Sequence, residues 1–128
     1  MPQQIKWNIF QKKATIRMSK KFNCNLSEKK CKNHPKKFDM VSADKNIVGD
    51  AKYLSLVRGK EYPPAKMMEI CGHVWLLEKI TAENKFLIFG NQKEVATLWL
   101  KKYGHLNKKI DFYFLNSKNR LLKLNNNL

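Results

Sequence analysis

The run Lys85-Phe86-Leu87-Ile88-Phe89 constrains this chain more than any other stretch. A strand with one wet face alternates apolar and polar residues, whereas a strand covered on both faces reads as a continuous apolar run. Helical spacing stands on both sides of it. Upstream, Met67, Ile70, Cys71, Val74 and Leu77 recur at helical intervals from Pro64, a residue suited to a helix's first turn, to about Ile80. Downstream, Val95, Leu98 and Trp99 mark a helix over 92–103, with Gly104 as its C-cap. Met68, Trp75 and Leu76 make the first of these helices apolar on more than one side, which predicts central packing. A strand buried on both faces and flanked by two helices implies parallel crossovers in an α/β fold.

The remaining segments complete that plan. Residues 3–20 read as a helix with Ile5, Ile9 and Ile16 near one face, although 14–18 also suits a strand. Residues 21–37 are polar and irregular, with a short strand expected around Phe22–Leu26. Residues 37–43 and 46–54 form two strands about an Asp44-Lys45 turn, and 58–64 breaks the pattern. Ile110–Leu115 is a last strand that hairpins into 120–124, and the polar 125–128 end is a fraying tail. The expected architecture is one α/β domain over 1–128 with a mixed central sheet flanked by helices.

Charge narrows the partners. The 128 residues carry 26 Lys+Arg against 10 Asp+Glu, a net charge of +16, so a polyanion is the first partner to consider. Residues 1–37 concentrate this charge, with Glu28 their lone acid. Three arginines and 13 asparagines show that the excess is mostly Lys in a Lys- and Asn-rich chain, so codon bias supplies part of it. No apolar run approaches the roughly 18–20 residues of a membrane span, and the N-terminus lacks a signal peptide's hydrophobic stretch. Three cysteines cannot all pair, which suits a reducing, cytoplasmic setting.

The scarce acids are better placed than the abundant lysines. With Asp44 and Lys45 as a two-residue turn, opposed positions sum to 89, so Val41 faces Val48 and Asp39 faces Asp50. Alternation puts Asp39, Val41, Val48, Asp50 and Lys52 on one face, and Phe38, Met40, Ile47, Gly49, Ala51 and Tyr53 on the other. Two carboxylates that close repel unless a cation or a proton lies between them. A hard cation such as Mg²⁺ accepts one or two carboxylates together with water and phosphate oxygens. Lys52 reaches the same cavity, where an ammonium orients water or offsets charge on a reacting phosphate.

Asp39, a ten-residue gap and Asp50-Ala51-Lys52, each half framed by apolar strand residues, resembles the PD-(D/E)xK signature of the restriction-endonuclease-like nucleases. The likeness covers about residues 36–90. It implies an α-β-β-β-α-β core and metal-dependent hydrolysis of DNA by a metal-activated water. It also implies that Asp39 and Asp50 hold Mg²⁺ or Mn²⁺, with the Ala51 carbonyl as a further ligand and Lys52 acting on the water. Lys37-Phe38 stand where many members have a proline before the first Asp. Residues 3–20 carry no acid where many members have a Glu, which leaves Glu28 or Glu69 as a third ligand. On this reading Lys12, Lys13, Lys20, Lys21, Lys36, Lys37 and Lys66 bind double-stranded DNA, and a homodimer would supply a second active site for the second strand.

Three rival readings stand beside it. A salt-bridged surface hairpin gives the same Asp and Lys spacing. A basic module, or an inactive nuclease-like subunit, binds nucleic acid without cutting it. A third kind of chain docks an acidic protein. Cys24, Cys31 and His34, with Cys71 and His73, match no common zinc spacing. His73 and His105 read as helix-surface groups.

Overall fold

The computed structural model describes residues 3–56 and 63–124. The expected break at 58–62, the tail 125–128 and the side chain of Ile5 lie outside the described residues. The elements in chain order are α1 (Gln3–Phe22), β1 (Ser27–Lys30), β2 (Lys37–Val41), β3 (Ile47–Leu54), α2 (Pro64–Glu78), β4 (Asn84–Asn91), α3 (Lys93–Tyr103), β5 (Asp111–Leu115) and β6 (Leu121–Lys123). A 3₁₀ turn, Gly104–Leu106, follows α3.

The six strands form one mixed sheet in sequence order. β1, β2 and β3 are antiparallel neighbours, β3, β4 and β5 are parallel, and β6 returns antiparallel to β5. Both parallel crossovers step the same way across the sheet, so right-handed connections put α2 and α3 on one face. Their residues Ile70, Val74, Leu77, Val95 and Trp99 join Val41, Val48, Leu87 and Phe112 in one core. The Trp99 indole donates to the Met67 carbonyl at 3.1 Å and ties α3 to α2. On the other face Phe10, Ala14 and Met18 of α1 pack on Met40, Ala51, Phe86, Ile88 and Tyr113. β4 lies between these layers, which is why its sequence runs apolar without alternation.

Gly49 sits inside β3 because its register partner Phe86 lays its ring over that position. A Cβ there would lie 2.2 Å from the Phe86 Cζ.

Several expectations change. The inward stripe of α1 is Phe10-Ala14-Met18, at a strict four-residue spacing, whereas Ile9 and Ile16 are 41% and 63% exposed. The helix continues to Phe22, so the first strand lies at Ser27–Lys30 and not at Phe22–Leu26. Phe22 and Leu26 are apolar because they pack against the α1-side core. The strand itself is a polar sheet edge, blunted by lysines as such edges usually are. α2 is not central, because Met68 and Trp75 point outward while the Lys79 ammonium covers the Trp75 ring. Gly104 stands at the end of α3 but keeps right-handed angles, and the chain tightens into the 3₁₀ turn.

Candidate active site

The β2–β3 hairpin carries the expected register, with Met40 opposite Gly49 and Val41 opposite Val48. Its loop is longer than two residues. Ser42 and Ile47 close it, since the Ser42 N–H donates to the Ile47 carbonyl and the Ser42 hydroxyl accepts from the Ile47 N–H. The Asp44 carboxylate takes the Ser42 hydroxyl at 2.6 Å and the Asn46 N–H at 3.0 Å, which draws one residue from each side into the loop. The extension is symmetric, so the register survives it.

Below Met40 the two strands part. Between the pairs Ser27–Val41 and Lys29–Phe38 two residues of β2 oppose one of β1, a bulge at Asp39-Met40. The bulge turns Phe38 onto the α2 side with Val41, not onto the Met40 face that simple alternation predicts. It also removes the ladder carbonyls that the Asp39 and Ala51 N–H groups would otherwise use. Carboxylates take their place. The Asp39 N–H donates to Asp50 Oδ1 at 3.1 Å, and the Ala51 N–H donates to Asp39 Oδ2 at 2.9 Å. Buried backbone donors need partners, so each aspartate has a structural task as well as any chemical one.

The remaining oxygens face side chains. Asp39 Oδ1 accepts from the Gln11 amide of α1 at 3.1 Å. Asp50 is 1% exposed, and its Oδ2 is buried without a hydrogen bond among the described residues. Three nitrogens surround that oxygen: Lys36 Nζ at 3.1 Å, Lys52 Nζ at 3.6 Å and His73 Nδ1 at 3.7 Å. The Lys36 ammonium approaches as an ion-pair partner, without the angle a hydrogen bond needs. Lys52 also hydrogen-bonds His73 Nδ1, and a Lys ammonium only donates, so that nitrogen is the acceptor.

These neighbours split the acidities of the pair. Burial, with the hydrogen bond and charge of Asp50 added, pushes the Asp39 carboxyl up to about 7. Burial acts the same way on Asp50, but the hydrogen bond to Asp39 and the charges of Lys52 and Lys36 outweigh it and hold Asp50 below its ordinary value. At neutral pH the pair therefore keeps Asp50 ionised and Asp39 near its midpoint. Burial also lowers the Lys52 ammonium, against the pull of Asp50. His73 falls to about 4, through burial first and then the charges of Lys52 and Lys36, so its ring is neutral at physiological pH.

The group lines an open cleft of about 640 Å³ between α2 and the N-terminal half of α1, with Trp7, Lys66 and Glu69 on its walls. A surface hairpin with a solvated ion pair does not describe this geometry. Asp39, Asp50, Ala51, Lys52 and Lys36 come together in the cleft. Lys36 is thus an internal partner of Asp50 and stacks over the Phe38 ring. Lys66 is exposed on the cleft wall and pairs with Glu69 at 3.9 Å. Lys12, Lys13 and Lys20 are exposed on α1, and Lys21 lies against the Phe22 and Tyr113 rings. Glu28 is outside the cleft, paired with Lys37 at 3.7 Å.

Searches against protein-family models, curated proteins and solved structures find no match for this chain. The site must therefore be read from its own atoms. Among the described residues no three His, Cys, Asp or Glu side chains converge on one point, which leaves Cys24, Cys31 and Cys71 as free thiols. A divalent ion would thus rest on the two carboxylates, completed by water, phosphate oxygens and the Ala51 carbonyl. Asp50 Oδ2 has no hydrogen bond but lies 3.1 Å from the Lys36 ammonium, so an ion that used this oxygen would have to displace or share it with that ammonium.

His73, expected as a helix-surface group, instead faces the cleft and bonds Lys52, and Gln11 was not among the expected site residues. His73 shares a face of α2 with Lys66 and Glu69 at helical spacing, and Gln11 follows Trp7 by four residues on α1. Those intervals were the available signals. What they needed was the knowledge that both faces look into one cleft.

Proposed function

We propose that this chain is a metal-dependent endonuclease that hydrolyses phosphodiester bonds of DNA, of the restriction-endonuclease-like kind. The observation that carries the reading is Asp50 Oδ2, buried and hydrogen-bond-free beside Asp39 and Lys52 in an open cleft. The run α1-β1-β2-β3-α2-β4 follows the α-β-β-β-α-β order that the motif resemblance implies, which supports the same reading.

Asp39 and Asp50, with the Ala51 carbonyl, would hold Mg²⁺ or Mn²⁺. Such an ion supplies Lewis acidity toward a phosphate and lowers the pKa of water. The chain's own residues do the rest. Lys52 holds its ammonium 3.6 Å from Asp50 Oδ2 and would offset negative charge as a water oxygen bonds to phosphorus and the ester oxygen leaves. His73 accepts from Lys52 and fixes the direction of its remaining N–H bonds. Gln11 holds the outer oxygen of Asp39, on the helix where the resemblance implies an additional Glu. The exposed lysines of α1 and Lys66 draw the DNA backbone toward the cleft.

The test is a panel of supercoiled plasmid, linear duplex, four-way junction, single strands and RNA, each with Mg²⁺, Mn²⁺ or EDTA. Cleavage of DNA in either metal and none in EDTA supports the reading. One observation favours a second reading, a basic module that binds nucleic acid without cutting it. Lys36 and Lys52 already neutralise Asp50 within the chain. That module binds every DNA in the panel in a salt-sensitive way and cleaves none in any metal.

A further inference from the structure

A second cavity, of about 420 Å³, lies beside the cleft on the α1 side of the sheet. It opens past the carboxyl ends of the parallel strands β3, β4 and β5, where Tyr53, Asn91 and Leu115 line it. The volume is within the roughly 300–1,000 Å³ of small-molecule sites. Phe10 and Tyr53, with ring centroids 5.4 Å apart, line the cavity together with Ile9, Phe114 and Leu115. The Phe10 ring lies flat on the strand because position 90 is glycine, where a Cβ would come within 2.2 Å of that ring. Lys6 and Lys13 are exposed on the rim, seven residues apart on one face of α1, and Asn116 and Ser117 supply polar groups on the opposite side. Tyr53 lines both this cavity and the cleft that holds Asp50.

An aromatic side chain, two cationic rim groups and a polar edge match three features of a nucleotide: the face of its base, its phosphate and the hydrogen-bonding edge of the base. A base within a duplex is stacked on both faces and paired at its edge, so it cannot lie against Tyr53. We infer that the cavity bounded by Phe10, Tyr53, Lys6 and Lys13 receives one unpaired nucleotide of the substrate strand, next to the phosphate held at Asp39 and Asp50. The base lies against Tyr53, and Lys6 and Lys13 hold its phosphate. The substrate class is then DNA with an unpaired nucleotide near the cut, as at a flap, a gap or a junction. The inference rests on the nuclease reading and specifies the substrate of that site.

The test uses the full chain in EDTA, so that nothing is cut. Fluorescence anisotropy compares a labelled blunt duplex with the same duplex carrying three unpaired nucleotides on one strand, and a titration of thymidine 5′-monophosphate runs beside them. The expected result is about 5-fold or more tighter binding of the tailed DNA, the low end of stacking for one base. Tyr53→Leu removes that preference. Lys6→Gln/Lys13→Gln changes only exposed side chains and removes it as well, which keeps the test sound if Tyr53→Leu misfolds. Equal binding of both DNAs by the wild type overturns the inference, and so does a preference that survives in the lysine variant. Tight binding of the mononucleotide without any strand preference also overturns it, because the cavity would then serve a free nucleotide. If neither DNA binds, the nuclease reading itself fails. If both bind equally and metal-dependent cleavage persists, only this subsite fails.

Discussion

Asp39→Asn should stabilise the metal-free protein at alkaline pH while removing its chemistry. Asp39 is 9% exposed, and its carboxyl is pushed from 3.8 to about 7 by burial and by Asp50. Below 3.8 the folded and unfolded chains both hold the proton. Between 3.8 and about 7 the unfolded chain releases it and the folded chain does not, so stability falls as pH rises through that window. At 1.36 kcal/mol per pH unit the fall has a ceiling on the order of 4 kcal/mol. Asparagine has nothing to titrate, keeps an oxygen for the Ala51 N–H, and presents an NH₂ to Asp50. The Gln11 amide can turn to present its oxygen instead. The assay is urea unfolding of both proteins in EDTA from pH 4 to 8.5, read as the difference between them. That difference cancels the groups that do not interact with Asp39, His73 among them, and retains any change at Asp50 and Lys52, which do. The variant's advantage should grow steadily from pH 4 and level off above about pH 7.5. A flat difference, or a wild type more stable at pH 8, refutes the raised Asp39 carboxyl.

Other outcomes follow from the same geometry. Gly49→Ala drives a methyl into the Phe86 ring, so it should lower stability by about 1–3 kcal/mol in urea unfolding with little change in the secondary structure seen by circular dichroism. His73 has its pKa lowered to about 4, so its contribution to stability is present above 6.5 and lost as pH falls through that window. Wild type should therefore lose stability relative to His73→Asn between pH 6.5 and 4, as measured by thermal unfolding across that range. Replacing Lys12, Lys13, Lys20 and Lys21 with Gln should weaken DNA binding and make the slope of log K against log salt shallower by up to about four, as read by anisotropy at several salt concentrations.

Much of this structure was legible in the sequence. The buried strand at 85–89, the two helices around it and the 89-sum hairpin register all rest on periodicity, which reports burial directly. The register survived even though the loop differed, because the Asp44 cap lengthens both sides equally. Three kinds of feature were not legible. α1 buries Phe10, Ala14 and Met18, and a stripe containing a small residue looks weaker than the exposed isoleucines beside it. β1 is a polar edge strand, so it has no apolar pattern to detect. The bulge at Asp39-Met40 leaves backbone N–H groups that two carboxylates satisfy across the gap, which no local propensity encodes. The site divides along the same line. Asp39, Asp50 and Lys52 share a hairpin and were found together. His73, Gln11 and Lys36 reach them from other elements and became visible only when the chain was folded.

On the proposed reading, Asp39, Asp50 and Lys52 carry out metal-dependent phosphodiester hydrolysis. The most direct test of that reading is nicking of supercoiled plasmid by wild type, Asp50→Asn and Lys52→Ala, with Mg²⁺ and with EDTA, at matched DNA occupancy. The account predicts nicking by wild type in Mg²⁺ alone, with a loss of about 100-fold or more in each variant while duplex binding persists. Mg²⁺-dependent nicking that survives at wild-type rates in both variants would contradict it.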